Sequence, residues 1–173
     1  MNVLAEFKKI TSFIFDVDGV LTDSTVMVLE NGLQARRMNI KDGLGLQMAL
    51  KNGFRVSVIS GSRSQPVVDR LKNLGLTEVH MGITDKKEYA ENFIRVHQLD
   101  WKEILFMGDD LPDMALMQAV GLGCCPADAV SEILEMSKYI SPVRGGYGCV
   151  RDVIEKVLKV QDKWVYSKEV ISK

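Results

Sequence analysis

Short, nearly continuous apolar runs alternate with longer segments of helical periodicity along this chain. Residues 12–17 (SFIFDV) have the pattern of a strand buried on both faces. The pattern returns at 55–60 (RVSVIS), 78–81 (EVHM), 103–107 (EILFM) and 121–125 (GLGCC), and residues 139–140 allow one more short strand. Helices are predicted between them. One begins near Asp42, whose side chain can cap it, and ends at Gly53. Residues 64–74 carry Pro66 in the first turn and Gly75 just past the end. Residues 84–98, 112–119, 129–136 and 150–160 complete the set. Strands alternating with helices of this length predict an α/β fold, a doubly wound parallel sheet with crossover helices on both faces. Residues 25–29 and 35–39 flank Glu30-Asn31-Gly32, a turn signal that predicts a β-hairpin flap over about residues 23–40. With no repeat, low-complexity stretch or internal linker, residues 1–173 are expected to form a single domain, and 163–173 a loosely ordered tail.

Composition narrows the classes. The net charge of -1 gives no electrostatic case for nucleic acid, whose binders carry basic patches. No apolar stretch is long enough for a membrane span and no secretory leader is recognisable, so a cytoplasmic location is expected. Cys124, Cys125 and Cys149 lack zinc-site spacing and read as small buried hydrophobes.

The chemistry-bearing residues cluster where strands end. The first strand ends in Asp16-Val17-Asp18-Gly19-Val20, the second in Ser60-Gly61, and the fourth in Gly108-Asp109-Asp110, with Asp113 a turn further on. Lys86 opens the helix after the third strand. In a doubly wound sheet such strand ends meet at the ligand crevice. Residues two apart in extended chain point the same way, so Asp16 and Asp18 place two repelling carboxylates together unless a cation binds. A carboxylate-rich set with no nearby histidine suits Mg2+. A hydroxyl, an ammonium and a helix N-terminus are donors for a phosphoryl group. A single Asp at a strand end is ordinarily a turn residue, but four strand ends supplying complementary groups predict phosphoryl transfer through an acyl phosphate, a phosphatase activity.

These residues resemble the four motifs of the haloacid dehalogenase-like superfamily, over most of the chain from about Phe13 to Val150. The resemblance implies that Asp16 is the nucleophile, Asp18 the acid and base, and Ser60 and Lys86 the phosphate-orienting pair. It also implies that Asp16, Asp18 (through its backbone carbonyl) and Asp109 hold magnesium, with Asp113 holding metal-bound water or Lys86. Only about 40 residues separate Asp18 from Ser60, too few for a cap domain. This capless layout is similar to the 3-deoxy-D-manno-octulosonate 8-phosphate (KDO 8-phosphate) phosphatase family. That family implies a small phosphorylated sugar acid as substrate, a role in lipopolysaccharide precursor synthesis, and a homotetramer in which a neighbouring subunit closes the site. On the same likeness Asp42-Gly43, Gly61, Arg63, Arg70 and Arg144-Gly145-Gly146 are expected on the substrate side. Ser62-Arg63 departs from the Arg-Lys common after the second motif, and the missing glutamate tilts the expectation from a nine-carbon keto-sugar acid 9-phosphate to the eight-carbon one. From another class, a receiver-like phosphoacceptor module carries similar groups, but places its phosphoacceptor on a middle strand.

Overall fold

A computed structural model describes residues 2–165. Its elements, in chain order, are α1 (Val3–Phe7), β1 (Ser12–Phe15), β2 (Met27–Val28), β3 (Gln34–Ala35), α2 (Ile40–Lys51), β4 (Arg55–Ser60), α3 (Gln65–Asn73) and β5 (Glu78–Met81), followed by α4 (Lys86–His97), β6 (Ile104–Met107), α5 (Met114–Ala119), β7 (Leu122–Cys125), α6 (Ser131–Met136), β8 (Tyr139–Ile140) and α7 (Cys149–Val160). Six strands form one sheet in the order β5-β4-β1-β6-β7-β8, every adjacent pair parallel. The chain starts at the sheet's centre, winds outward through β4 and β5, then returns to the other side of β1 with β6. That reversal opens a crevice beyond the carboxyl end of β1.

The strands are apolar on both faces because helices cover both. On one face Phe13, Phe15 and Leu105 pack with Leu46 of α2 and Val153, Ile154 and Leu158 of α7. On the other, Ile14, Ile59 and Phe106 pack with Phe93 and Ile94 of α4, Leu116 of α5 and Ile133 of α6. Side chains as fully enclosed as Phe13 and Phe15 each stabilise the fold by about 1.5–3 kcal/mol. The three cysteines are buried and unpaired, as their apolar settings predict.

Several boundaries differ from the sequence reading. Asn39, rather than Asp42, caps α2, its side chain accepting from the Lys41 amide. β1 ends at Phe15, and a tight turn over Val17–Leu21 follows. The helix expected from residue 112 begins as a single 3-10 turn, Leu111–Asp113, before α5. α1 went unpredicted, since its five residues are too few to show a period; it is capped by Asn2 and anchored by buried Phe7. The flap is present, but only Met27–Ala35 and Val28–Gln34 pair as strand partners, and an isolated bridge between Thr22 and Met38 closes its base. No cap domain occurs among the described residues. Of the expected tail, Lys163 lies over the Phe54 ring and Trp164 beneath the Arg151 guanidinium, so its first residues pack on the body; residues 166–173 lie outside the described residues. No described helix is long and apolar enough to cross a membrane.

Candidate active site

β1 delivers Asp16 to the crevice: its amide still donates to the Met107 carbonyl at 3.0 Å, continuing the β1–β6 ladder by one residue. The chain then turns sharply. Gly19 adopts φ +86°, and a Cβ there would lie 1.9 Å from Asp109 Oδ2, so only glycine lets this turn approach the β6 loop. Asp109 follows β6, and Asp113 belongs to the 3-10 turn behind it. Carboxylate oxygens of Asp16, Asp109 and Asp113 all lie within 4.8 Å of one another. Lys86, the first residue of α4, reaches into this group: its Nζ lies 2.5 Å from Asp113 Oδ1 and 2.9 Å from Asp16 Oδ1.

The three carboxylates are not equivalent. Asp113 is saturated, since Oδ1 accepts from Lys86 and Oδ2 accepts from the Asp109 and Asp110 amides at 3.0 and 3.3 Å. It fixes the lysine and the loop. Asp16 Oδ1 faces the Lys86 ammonium as its one close partner, and Asp109 Oδ1 is buried without a donor. Burial, followed by repulsion from Asp113, pushes the Asp16 carboxyl up to about 7 against the opposing pull of Lys86. Burial, then repulsion from Asp16, raises Asp109 likewise to about 7. A buried Asp109 oxygen without a donor, in a group of three carboxylates sharing one ammonium, fits a small hard cation, and an oxygen-only donor set suits magnesium. Ser24, itself at φ +59°, donates its hydroxyl to Asp109 Oδ2 at 3.3 Å.

These groups line a pocket of about 480 Å³ that also takes in Asp18, Ser60 and Gly61. Ser60 is buried, its Oγ 2.9 Å from the Ser62 hydroxyl and accepting from the Ser62 amide at 3.1 Å. The pocket thus brings together the Asp16 carboxylate, the Lys86 ammonium at the N-terminus of α4 and the Ser60 hydroxyl at the end of β4, groups that suit phosphoryl transfer.

A family model described as haloacid dehalogenase-like hydrolase matches residues 72–150. The 3-deoxy-D-manno-octulosonate 8-phosphate phosphatase KdsC of Escherichia coli K12 is 32% identical over 162 residues, covering 94% of this chain and 86% of its own. The chain belongs to the KDO 8-phosphate phosphatase family. Solved structures agree: the Yersinia pestis phosphatase superposes with a TM-score of 0.91 at 32% identity, covering 93% of this chain and 87% of its own. That of Moraxella catarrhalis, crystallised with magnesium, phosphate and KDO, does so with a TM-score of 0.91 at 30% identity, covering 94% and 93%.

Within this KDO 8-phosphate phosphatase fold the predicted residues divide into groups. Asp16, Asp18, Ser60, Gly61, Lys86, Asp109 and Asp113 meet at one pocket. Arg63 and Arg70 instead line a second groove, of about 780 Å³, between the flap and α3. Gly43 lies beneath Arg70 rather than in the catalytic pocket. Asp42 faces away from both: it is buried, and its Oδ1 accepts the Arg151 amide at 2.6 Å, capping α7. Burial pushes its carboxyl up to about 6, while the amides of α7's first turn pull the other way. Its expected contact with substrate is therefore corrected to a tie between α2 and α7. Arg144, with an exposed side chain, pairs with Asp128 at 3.1 Å outside the catalytic pocket. Gly145 and Gly146 brace the catalytic turn from behind. A Cβ on Gly145 would fall 1.9 Å from the Gly19 carbonyl oxygen, and the Gly146 amide donates to the Val20 carbonyl at 2.9 Å. The Asp18 carboxylate stands outside the acidic triad and is held by Arg36. Ser24 and Arg36 are the neighbours that the sequence reading gave no role; each lies in loop or flap, where no periodicity marks it.

Proposed function

We propose that the protein hydrolyses 3-deoxy-D-manno-octulosonate 8-phosphate to the free sugar acid and inorganic phosphate. The observation that carries this is the constellation of buried Asp16 and Lys86 with half-buried Asp109 at the switch point of a chain belonging to this phosphatase family. Asp16 attacks phosphorus while the P–O bond to the sugar breaks, and Asp18 delivers a proton to the departing oxygen. Asp18 then takes a proton from water as that water attacks the acyl phosphate, the bond from phosphorus to Asp16 breaks, and the free carboxylate returns. Lys86 and Ser60 bind the non-bridging phosphoryl oxygens throughout, and Asp113 holds Lys86 at the required place. Asp16, Asp109 and the Asp18 backbone carbonyl would hold magnesium, which would neutralise charge at the phosphoryl group and keep Asp16 ionised.

Further parts of the reading extend beyond the site. Residues 1–173 act as one phosphatase domain, in lipopolysaccharide precursor synthesis in the cytoplasm. Arg63 and Arg70 face the sugar acid from the flap groove. The protein works as a homotetramer whose neighbouring subunit helps to close the site, a reading supported by Met27, Val28 and Leu33, 66%, 68% and 62% exposed on the flap. Relatives named for the eight-carbon acid favour it over a nine-carbon one. A nucleophile directly after β1, with Asp18 two residues on, argues against a receiver-like phosphoacceptor. Rates on the eight-carbon 8-phosphate and a nine-carbon 9-phosphate, measured side by side with magnesium, test the assignment. A higher kcat/KM for the nine-carbon substrate would overturn it.

A further inference from the structure

The reaction set out above gives Arg36 nothing to do, yet this residue makes the strongest contact to the proposed acid. Its Nε donates to Asp18 Oδ1 at 2.7 Å and its Nη2 to Oδ2 at 3.5 Å. Among the described residues the other side chain on that carboxylate is Thr22, whose hydroxyl reaches Oδ1 at 3.5 Å. The Arg36 side chain is 6% exposed although it follows β3 of a hairpin whose apolar residues stand largely in solvent. Enclosing a guanidinium is costly unless a partner compensates, and here the partner is the acid.

Arg36 also borders a second cavity. It lines the flap groove together with Arg63 and Arg70. In that neighbourhood Arg70 Nη2 is buried without an acceptor, which marks a position where an anionic or carbonyl oxygen belongs. Arg36 therefore sits between the catalytic pocket and a largely apolar groove that Arg63 and Arg70 also border. Both Asp18 oxygens accept from one planar fork, so the guanidinium sets the direction of the acid, and its release lets the carboxylate turn toward a leaving group.

We infer that Arg36 is a positioning residue coupling substrate entry to the acid: it holds Asp18 until the carboxylate of a sugar acid in the flap groove competes for the guanidinium, and Asp18 is then released toward the leaving oxygen. This rests on the phosphatase reading and adds to it a reason for selecting acidic sugars. A sugar phosphate without a carboxylate binds the catalytic pocket but leaves Asp18 on Arg36, and turns over slowly.

The test is the ratio of kcat/KM for the eight-carbon acid 8-phosphate to that for glucose 6-phosphate, measured on wild type, Arg36→Gln and Arg36→Lys. Losing a charge-assisted hydrogen bond predicts that Arg36→Gln lowers this ratio about tenfold or more. The acid substrate slows and glucose 6-phosphate speeds up, while Arg36→Lys recovers part of the ratio. A purely structural role in the flap would depress both rates together, and a ratio within about twofold of wild type, against the tenfold expected for that bond, would overturn the inference. A wild-type protein inert to every phosphomonoester would overturn the phosphatase reading itself, and this inference with it, a result distinct from an unchanged ratio.

Discussion

The acidic cluster predicts how stability responds jointly to pH and magnesium. Asp16 and Asp109 each titrate near 7 in the folded protein, raised from 3.8. The folded state therefore binds more protons than the unfolded chain between those values, and stability falls as pH rises toward 7, with the loss complete above about 8. From pH 6 to 8 each group loses at most about one pH unit of linkage, or about 1.4 kcal/mol, so the pair loses at most about 3 kcal/mol. For a protein of this size that corresponds to a fall in Tm of about 5–10 °C. Asp42 titrates near 6 with the same sign, so most of its loss lies below this window. Magnesium binds the ionised carboxylates and competes with protons at pH 6 but hardly at pH 8, so its stabilisation is larger at pH 8. Calorimetry at pH 6 and 8, in EDTA and in saturating magnesium, measures this directly. Asp109→Asn removes one titrating group, halving the pH slope in EDTA and weakening the magnesium response. A Tm in EDTA that stays flat or rises between pH 6 and 8, or a magnesium shift of equal size at both, would refute the reasoning.

Gly19→Ala places a methyl 1.9 Å from Asp109 Oδ2 at a positive φ, and is expected to lower kcat by about a hundredfold while far-UV circular dichroism stays native. Asp18→Asn keeps magnesium binding, measured by titration calorimetry, but loses turnover because the amide can neither give nor take the proton; wild-type-like turnover would refute the acid–base assignment. Met27→Asp combined with Val28→Asp puts charge on the exposed flap and is expected to convert the proposed tetramer to smaller species in multi-angle light scattering, with activity falling alongside.

The sequence carried the fold because the strands are short apolar runs and the helices have amphipathic periods, and these local patterns survive packing. It carried Asp16, Asp18, Ser60, Lys86 and Asp109 because polar residues at the ends of buried strands have few other reasons to be there. What it could not carry was direction. Asp42 shares its helix with the residues flanking the flap, but its side chain turns toward α7, whose Arg151 lies 109 positions away. Arg144 follows Pro142 and Val143 in a loop, and only the fold brings Asp128 to it. Arg36 reaches Asp18 across the hairpin, where a one-residue change of register would turn it to the other face. The flap itself was expected longer, since its apolar residues resemble strand residues, yet only two pairs make strand partners and the rest stand exposed.

The central claim is that Asp16 carries the phosphoryl group. Acid quench during steady-state turnover with magnesium, borohydride reduction and peptide mass spectrometry tests it most directly, because reduction of an aspartyl phosphate leaves homoserine. Homoserine at position 16, absent without substrate, is the predicted result. Homoserine at position 18 or 109 instead, or at none while phosphate is still released, would contradict the account.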